Sequence, residues 1–365
     1  MRILIDIGHP AHVHYFKNFI KIMEAKGHEF LVVARDREVI HSLLRAEKIK
    51  FHSRGKGAKS FVGKLLYTIW ADLCLFYHSV FFRPDIYLSH SSHYAMHIAR
   101  LFGKPCISTA DSDHIKMNAK WLMPYLDALL TPTAYKLDYG EKHLTFNGYM
   151  ELLYLHPNNF KPQKDKVRKV LGLEENEKFF LLRFVAWDAF HDSKQAGFTN
   201  EQKTALVDYL SNHGRVIISS EGALPPSLEK YQAKFPPVLL HDVLAEATIC
   251  ISEGATTASE AAVLGTPTVY VNSLEASNCR EQEEVYKLNH CFPDGDGVLD
   301  NIARILNQEN LDTIYSKRRE RLIEEKIDVT AFLVWFIENY PDSKSKYRRS
   351  PSIQEQFKSE TIDGF

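Results

Sequence analysis

Three groups of residues in this sequence have the types and spacing to do chemistry. The first is Gly8-His9-Pro10-Ala11-His12-Val13-His14, which sets three imidazoles directly behind the apolar run Arg2–Ile7. Imidazole titrates near neutral pH, so it can take a proton from a hydroxyl or bind a metal. The H-x-x-H-x-H spacing could supply two or three metal ligands. No nearby cysteine and no helical H-E-x-x-H supports that use, so no metal is expected. The second group is the run from Ile249 to Pro267. It reads as a strand ending in Ser252, a loop bearing Gly254, and a helix beginning near Thr256. Unpaired N–H groups and the positive end of the helix dipole favour a phosphate there. Gly254 and Ala255 lack bulk, so a diphosphate could approach the backbone, and Thr256 and Thr257 add hydroxyl donors. Glu260 stands about one turn further on. Its carboxylate would repel phosphate but could accept from the vicinal hydroxyls of a ribose; the alternative is an exposed first-turn acid that complements the dipole. The third group is Ser108–His114, where Asp111, Asp113 and His114 close a strand. They suit an acid/base cluster or, equally, a polar turn.

These groups need a scaffold that gathers the ends of strands. Short apolar runs at Arg2–Ile7, Phe30–Ala34, Ile49–His52, Asp85–Ser89, Pro105–Ser108, Leu126–Thr131 and Leu144–Asn147 alternate with helical spacing. In Val13–Lys26, for example, Phe16, Phe19, Ile20 and Met23 share one face before Gly27. The pattern resumes with strands at Phe179–Val185, Arg215–Ser219, Val238–Leu240, Thr248–Ser252 and Thr268–Val271. Alternation of this kind predicts an α/β protein of two Rossmann-like parallel-sheet domains facing a central cleft, with ligands outside the carboxyl ends of the strands. The expected boundaries are an N-terminal domain over 1–157, a charged linker with an entry helix over 158–178, a C-terminal domain over 179–330, a helix over 331–341, and a tail without fixed structure over 342–365. Leu65–Phe82 is the most apolar stretch, interrupted by Asp72 and His78. It reads first as a helix packed between sheet and neighbour, then as a peripheral membrane-contact patch, and last as a span.

Composition narrows the class. The 365 residues are 45% hydrophobic and 25% charged, which is the usage of a globular protein long enough for two domains. With 45 Lys and Arg against 46 Asp and Glu, the chain lacks the basic excess of a nucleic-acid binder. Its five cysteines form no C-x-x-C pair and predict thiols in a reducing compartment. No apolar signal region opens the sequence, and the expected location is the cytoplasm.

The run from Gly254 to Glu260, with Gly265-x-Pro267 behind it, resembles the donor-site signature of GT-B glycosyltransferases. It is most similar to the peptidoglycan transferase that adds N-acetylglucosamine to a lipid-linked muramyl acceptor. The non-hydrolysing UDP-GlcNAc 2-epimerases look alike in this block. The wider pattern runs from Asp6-Ile7-Gly8-His9-Pro10-Ala11-His12 through Tyr154-Leu155-His156-Pro157-Asn158 and Arg183-Phe184-Val185 to Ser219-Ser220-Glu221 and Glu253–Pro267. It resembles an uncharacterised prokaryotic family of GT-B-like proteins over nearly all of residues 1–340.

That resemblance implies roles. Gly254, Ala255, Thr256 and Thr257 would cradle the UDP diphosphate, and Glu260 would hold the ribose. His241-Asp242 would lie where the uracil is read. Arg183 would neutralise the leaving diphosphate, its alternative being an ion pair with Asp188 or Asp192. Ser220 would line the same site or simply turn the chain. GT-B transferases place their catalytic histidine sixteen residues before the second residue of the Gly-His pair that ends the first helix. Counted back from His28, that residue is His12. The family's glycine-rich first loop is replaced here by His9-Pro10-Ala11. The expected function is inverting transfer from a UDP-sugar to a glycan or lipid-linked acceptor, with His12 as general base and no cofactor. An epimerase using the carboxylates around Asp111 and a non-catalytic sugar-nucleotide binder are the alternatives. No Arg-Pro-Glu signature of the epimerases follows the first strand.

Overall fold

The structure, a computed structural model, describes residues 1–58, 60–111, 122–185, 197–220 and 222–358. The chain divides into two compact units, Met1–Asn159 with Lys326–Phe365, and Phe160–Glu325.

The first unit opens with β1 (Arg2–Ile7), α1 (Pro10–Ala25), β2 (Glu29–Ala34), α2 (Glu38–Ala46) and β3 (His52–Ser53). It continues through α3 (Phe61–Phe82), β4 (Ile86–His90), α4 (His93–Leu101), β5 (Cys106–Thr109), β6 (Ala128–Pro132), β7 (His143–Phe146) and α5 (Leu152–Leu155). The seven strands are parallel in the order β3-β2-β1-β4-β5-β6-β7. Ile3, Leu4, Ile5 and Ile7 are wholly buried, as expected for a strand covered on both faces. α1 begins with Pro10 at its first position and His9 as its cap; Gly27 follows it at φ +85°, the left-handed conformation that ends helices. Phe16, Phe19, Ile20 and Met23 all lie in the core.

α3 departs from the packed-helix expectation. Only Ala71, Leu75 and Ser79 are fully buried along its length. They repeat every fourth residue and so form one narrow stripe, which meets α4; the broad outer face, including Phe61, Leu66 and Trp70, is exposed.

The second unit holds α6 (Lys164–Leu171), β8 (Phe179–Phe184), α7 (Asn200–Ser211), β9 (Arg215–Ser220), α8 (Leu240–Glu246) and β10 (Ile249–Ser252). α9 (Ala255–Leu264), β11 (Thr268–Val271), α10 (Ser277–Glu284), β12 (Asn289–Phe292), α11 (Val298–Leu306) and α12 (Leu311–Glu325) complete it. Its strands are parallel in the order β12-β11-β10-β8-β9. Val238–Leu240 is not a strand: Pro237–Leu239 forms a 3-10 turn that leads into α8, because two prolines remove the N–H groups a ladder would need. β12 is an additional edge strand. Within the 158–178 stretch, α6 is the entry helix and buries Val167 against α8.

The chain then returns to the first unit as α13 (Val329–Glu338) and α14 (Asp342–Arg349), followed by a 3-10 segment, Pro351–Phe357. Residues 342–358 are therefore structured, contrary to the expected loose tail. Tyr347 donates to the Thr145 carbonyl at 2.7 Å and Lys344 to that of Asp127 at 2.5 Å. Gln354 accepts from the Asn147 N–H at 2.7 Å. Polar composition hid this segment, because a few anchors such as Tyr347 and Phe357 hold it rather than a periodic apolar face. Phe332 centres the cluster, with ring centroids 5.1 Å from Tyr347, 5.9 Å from Phe357 and 6.0 Å from Phe146. Phe332→Ala should cost the first unit about 3–5 kcal/mol by denaturant titration; a loss under about 1 kcal/mol would show that the segment is not part of that core.

Candidate functional site

Each sheet reverses its strand order beside its first strand, between β1 and β4 in one unit and between β8 and β10 in the other. At such a point successive crossovers leave to opposite sides, which opens a crevice at the carboxyl ends of the two strands.

In the first unit the crevice is a cavity of about 220 Å³, its lining including Asp6, His12, Arg54, Tyr67, His90 and Ser92. Asp6 is wholly buried near the end of β1. Arg54, which follows β3, donates to its Oδ1 at 2.7 Å, and Ser92 at the head of α4 donates to its Oδ2. One carboxylate thus ties three strand ends together. Arg54 also bonds Tyr67 of α3 and lies 4.6 Å from the Tyr94 ring. Burial works against the Arg54 charge, but Asp6 and the two tyrosines outweigh it and hold the guanidinium above its ordinary pKa. Sequence reasoning passed over Asp6 and Arg54, although an acid inside an otherwise apolar two-face strand demands a partner.

Above this ion pair the histidines divide. His12 lies 4.8 Å from the His90 ring and 5.9 Å from that of His9, whereas His14 lies 5.4 Å from the Tyr154 ring. Among the described residues, no set of three or more His, Cys, Asp or Glu side chains is placed to hold a metal ion. The Gly8 N–H donates to His12 Nδ1 at 3.3 Å, so the neutral ring carries its proton on Nε2. Burial, then His90, His9 and Arg54, push the His12 pKa well below 6.5 against the pull of Asp111. Asp111 accepts from Tyr15 at 3.0 Å and lies 3.4 Å from His90 Nε2. His90 Nδ1 in turn meets Thr109 Oγ1 at 2.9 Å. The structure therefore brings Asp111 and His12 into one cluster. His114, expected beside Asp111, lies outside the described residues, as do Asp113, Asp188 and Asp192.

In the second unit Gly254 is the N-cap of α9 and makes no side-chain cap, so the first-turn N–H groups of that helix receive no capping side chain. A Cβ on Gly254 would stand 3.3 Å from Val185 Cγ1, tight enough to favour glycine. Ala255 is half-buried, Thr256 is exposed and Thr257 is buried. Arg183, opposite Ser252 in the β8–β10 ladder, donates to Ser219 Oγ at 2.7 Å. Ser220 turns its hydroxyl to the Gly222 carbonyl at 2.9 Å. Glu260 is buried rather than exposed, and its Oε1 meets His241 Nε2 of α8 at 3.0 Å.

The residue that organises this loop is Glu253, which the sequence reading left without a role. It is wholly buried and accepts from the Val185 N–H at 3.1 Å and the Phe198 N–H at 3.0 Å; Lys203 Nζ stands 3.4 Å away. Burial raises its pKa, and Lys203 with the two amides works in the other direction. Asn272 donates to the Glu253 carbonyl at 2.9 Å and joins the loop to a second cavity of about 270 Å³, lined in part by Ser273, Leu274 and Arg280.

The depressed His12 pKa fixes the sign of one pH effect. The folded state binds fewer protons than the unfolded chain, so this contribution to stability is full above pH 6.5 and falls away below it. The melting temperature should therefore drop between pH 7 and pH 5, and His12→Gln should flatten that drop. Equal slopes for the two proteins would place the His12 charge in solvent.

Comparison with known proteins fits this architecture. Staphylococcus aureus MnaA, solved with UDP, matches with a TM-score of 0.62 at 14% identity, covering 91% of this chain and 96% of that one. The Streptomyces sp. SF2575 glycosyltransferase SsfS6, complexed with thymidine diphosphate, matches at 0.60 and 14%, covering 93% and 99%. The UDP-GlcNAc 2-epimerase of Neisseria meningitidis, bound to UDP-GlcNAc, matches at 0.59 and 12%, covering 87% and 98%. These likenesses show a GT-B fold. An uncharacterized protein of Methanocaldococcus jannaschii is 23% identical over 186 residues, covering 49% of this chain and 54% of that protein, so the chain spans about half the length of this relative. The family described as "Protein of unknown function (DUF354)" matches residues 1–279, and the chain belongs to that family.

Proposed function

We propose that this protein is a nucleotide-sugar-dependent glycosyltransferase that takes a UDP-sugar and transfers the sugar, with inversion, to a glycan or lipid-linked acceptor of the cell envelope. The observation that supports this best is the helix start behind β10, which lacks a side-chain cap, sits at the switch point of its sheet and is floored by Gly254. Backbone amides there suit a diphosphate, and the α9 dipole with Arg183 offsets the charge that grows on the departing UDP without calling on a metal. Glu260 and His241 form a buried pair one turn below and would meet the nucleoside.

In the first unit His12 is neutral at pH 7, and its Nδ1 accepts a long contact from the Gly8 N–H. An acceptor hydroxyl that replaces Gly8 passes its proton to Nδ1 as its oxygen bonds to the anomeric carbon. The bond from that carbon to UDP breaks, and UDP leaves with the electron pair. Asp111 then steadies the imidazolium.

A second reading, epimerisation at C2, is favoured by Asp111, a carboxylate held by Tyr15 and His90 beside His12. Incubation with UDP-GlcNAc separates the two. Transfer requires UDP release that depends on an added acceptor; epimer or free UDP formed without acceptor supports the second reading. Binding without turnover under either condition would leave a sugar-nucleotide binding protein. For transfer, His12→Ala should spare UDP binding and abolish turnover, whereas Glu260→Ala should weaken UDP binding by calorimetry. Wild-type turnover in the His12 variant would remove that residue from the mechanism.

A further inference from the structure

α3 is long and apolar enough to cross a membrane by length and composition, yet it cannot leave the first unit. Its inner stripe of Ala71, Leu75 and Ser79 is buried, Asp72 bonds His97 of α4 at 3.0 Å, and Tyr67 donates to the Gly55 carbonyl at 3.2 Å. Among the described residues the opposite side is left exposed. Phe61 is 84% exposed, Phe81 72%, Leu66 61%, Tyr77 60%, Leu73 57% and Trp70 57%. A run of large apolar side chains of this extent marks a contact surface rather than ordinary exposure.

The charges around it indicate what it contacts. Within α3 the exposed face carries one charged side chain, Lys64, and the residue closing the helix is the exposed Arg83. Lys56 precedes the helix and is also exposed. The C-terminal end of α4 and the turn behind it meet the patch through Phe102 against Phe76, with ring centroids 5.5 Å apart, and add exposed Arg100, Leu101 and Lys104. The sole carboxylate between residues 56 and 83 is Asp72, which is engaged with His97 on the inner side. An apolar helix face edged by cations, with Trp and Tyr among its outer residues, matches the boundary between acyl chains and anionic headgroups. A second copy of this chain seated on the same face would instead set Lys64 and Arg83 of both copies along one interface with no carboxylate to balance them.

We propose that α3 lies in the plane of a bilayer surface that contains anionic lipid, with its outer face inserted among the acyl chains. Tyr67 on the inner side of the same helix lines the His12 cavity, so docking brings that cavity to the membrane surface. The proposal does not depend on which sugar-nucleotide reaction the protein performs.

Vesicle co-sedimentation of the full-length protein tests it. The protein should pellet with phosphatidylcholine vesicles containing phosphatidylglycerol, and less with phosphatidylcholine alone. Trp70→Glu with Leu73→Glu should abolish pelleting while leaving the melting temperature unchanged, since both side chains are exposed. Lys64→Glu with Arg83→Glu should weaken binding to the anionic vesicles by at least about tenfold. Fluorescence gives a readout that leaves the fold untouched: tryptophan emission should shift to the blue on vesicle addition, and Trp70→Phe should remove that shift. Failure to pellet with either vesicle overturns the proposal. Equal binding to both vesicles, unaffected by the charge reversals, overturns the anionic requirement. A dimer in sedimentation velocity that Trp70→Glu with Leu73→Glu dissolves, with no vesicle binding, assigns the face to a second copy instead.

Discussion

A parallel sheet whose strand order reverses beside its first strand cannot close over its own carboxyl edge at that point. Crossovers leave β1 and β4 toward opposite sides, as they leave β8 and β10, and the backbone groups between them must find other partners. Among the described residues, most of the site candidates lie at these two places. His12 and His90 stand at one, and Gly254, Arg183 and Glu253 stand at the other. The topology creates the openings, and the side chains only determine what each opening can hold.

Both openings are braced in the same way, by a buried carboxylate next to the strand end. Asp6 binds the backbone-distant Arg54 and Ser92, and Glu253 accepts two amides and faces Lys203. A buried carboxylate costs several kcal/mol of desolvation unless donors surround it, so each acid forces the neighbouring loops into one arrangement. That rigidity fixes the positions of the groups above it. In the first unit those groups are a neutral imidazole and a carboxylate shared by Tyr15 and His90. In the second they are the backbone amides of a helix start whose N-cap is a glycine without a side-chain cap. The two sets are chemically complementary, since one suits proton transfer and the other suits anion binding.

The α/β pattern was plain in the chain because every central strand except at its ends is covered on both faces and must be apolar throughout. The central strands, such as Arg2–Ile7, Phe179–Phe184 and Ile249–Ser252, follow that rule, whereas the edge strand β3 (His52–Ser53) is exposed. The misplacement of Val238–Leu240 came from the same rule applied without weighing Pro236 and Pro237. The order of the tail after Pro341 is not visible in its composition, which measures only how much apolar surface a segment has. Composition does not measure whether Tyr347, Phe357 and Gln354 find sockets elsewhere in the unit.

By itself the sequence determined the two-sheet plan, the strand-loop-helix turn at Gly254, and the histidine loop behind β1, because each is set by residues adjacent in the chain. Tertiary structure alone decided which side chains share a site. Asp6 and Arg54 are 48 residues apart and Glu253 and Val185 are 68 apart, and no periodicity links them. It also decided that Glu260 is buried against His241 and that the outer face of α3 is left uncovered. Local pattern sets the form of each element, whereas burial and pairing depend on which elements the completed sheet brings together.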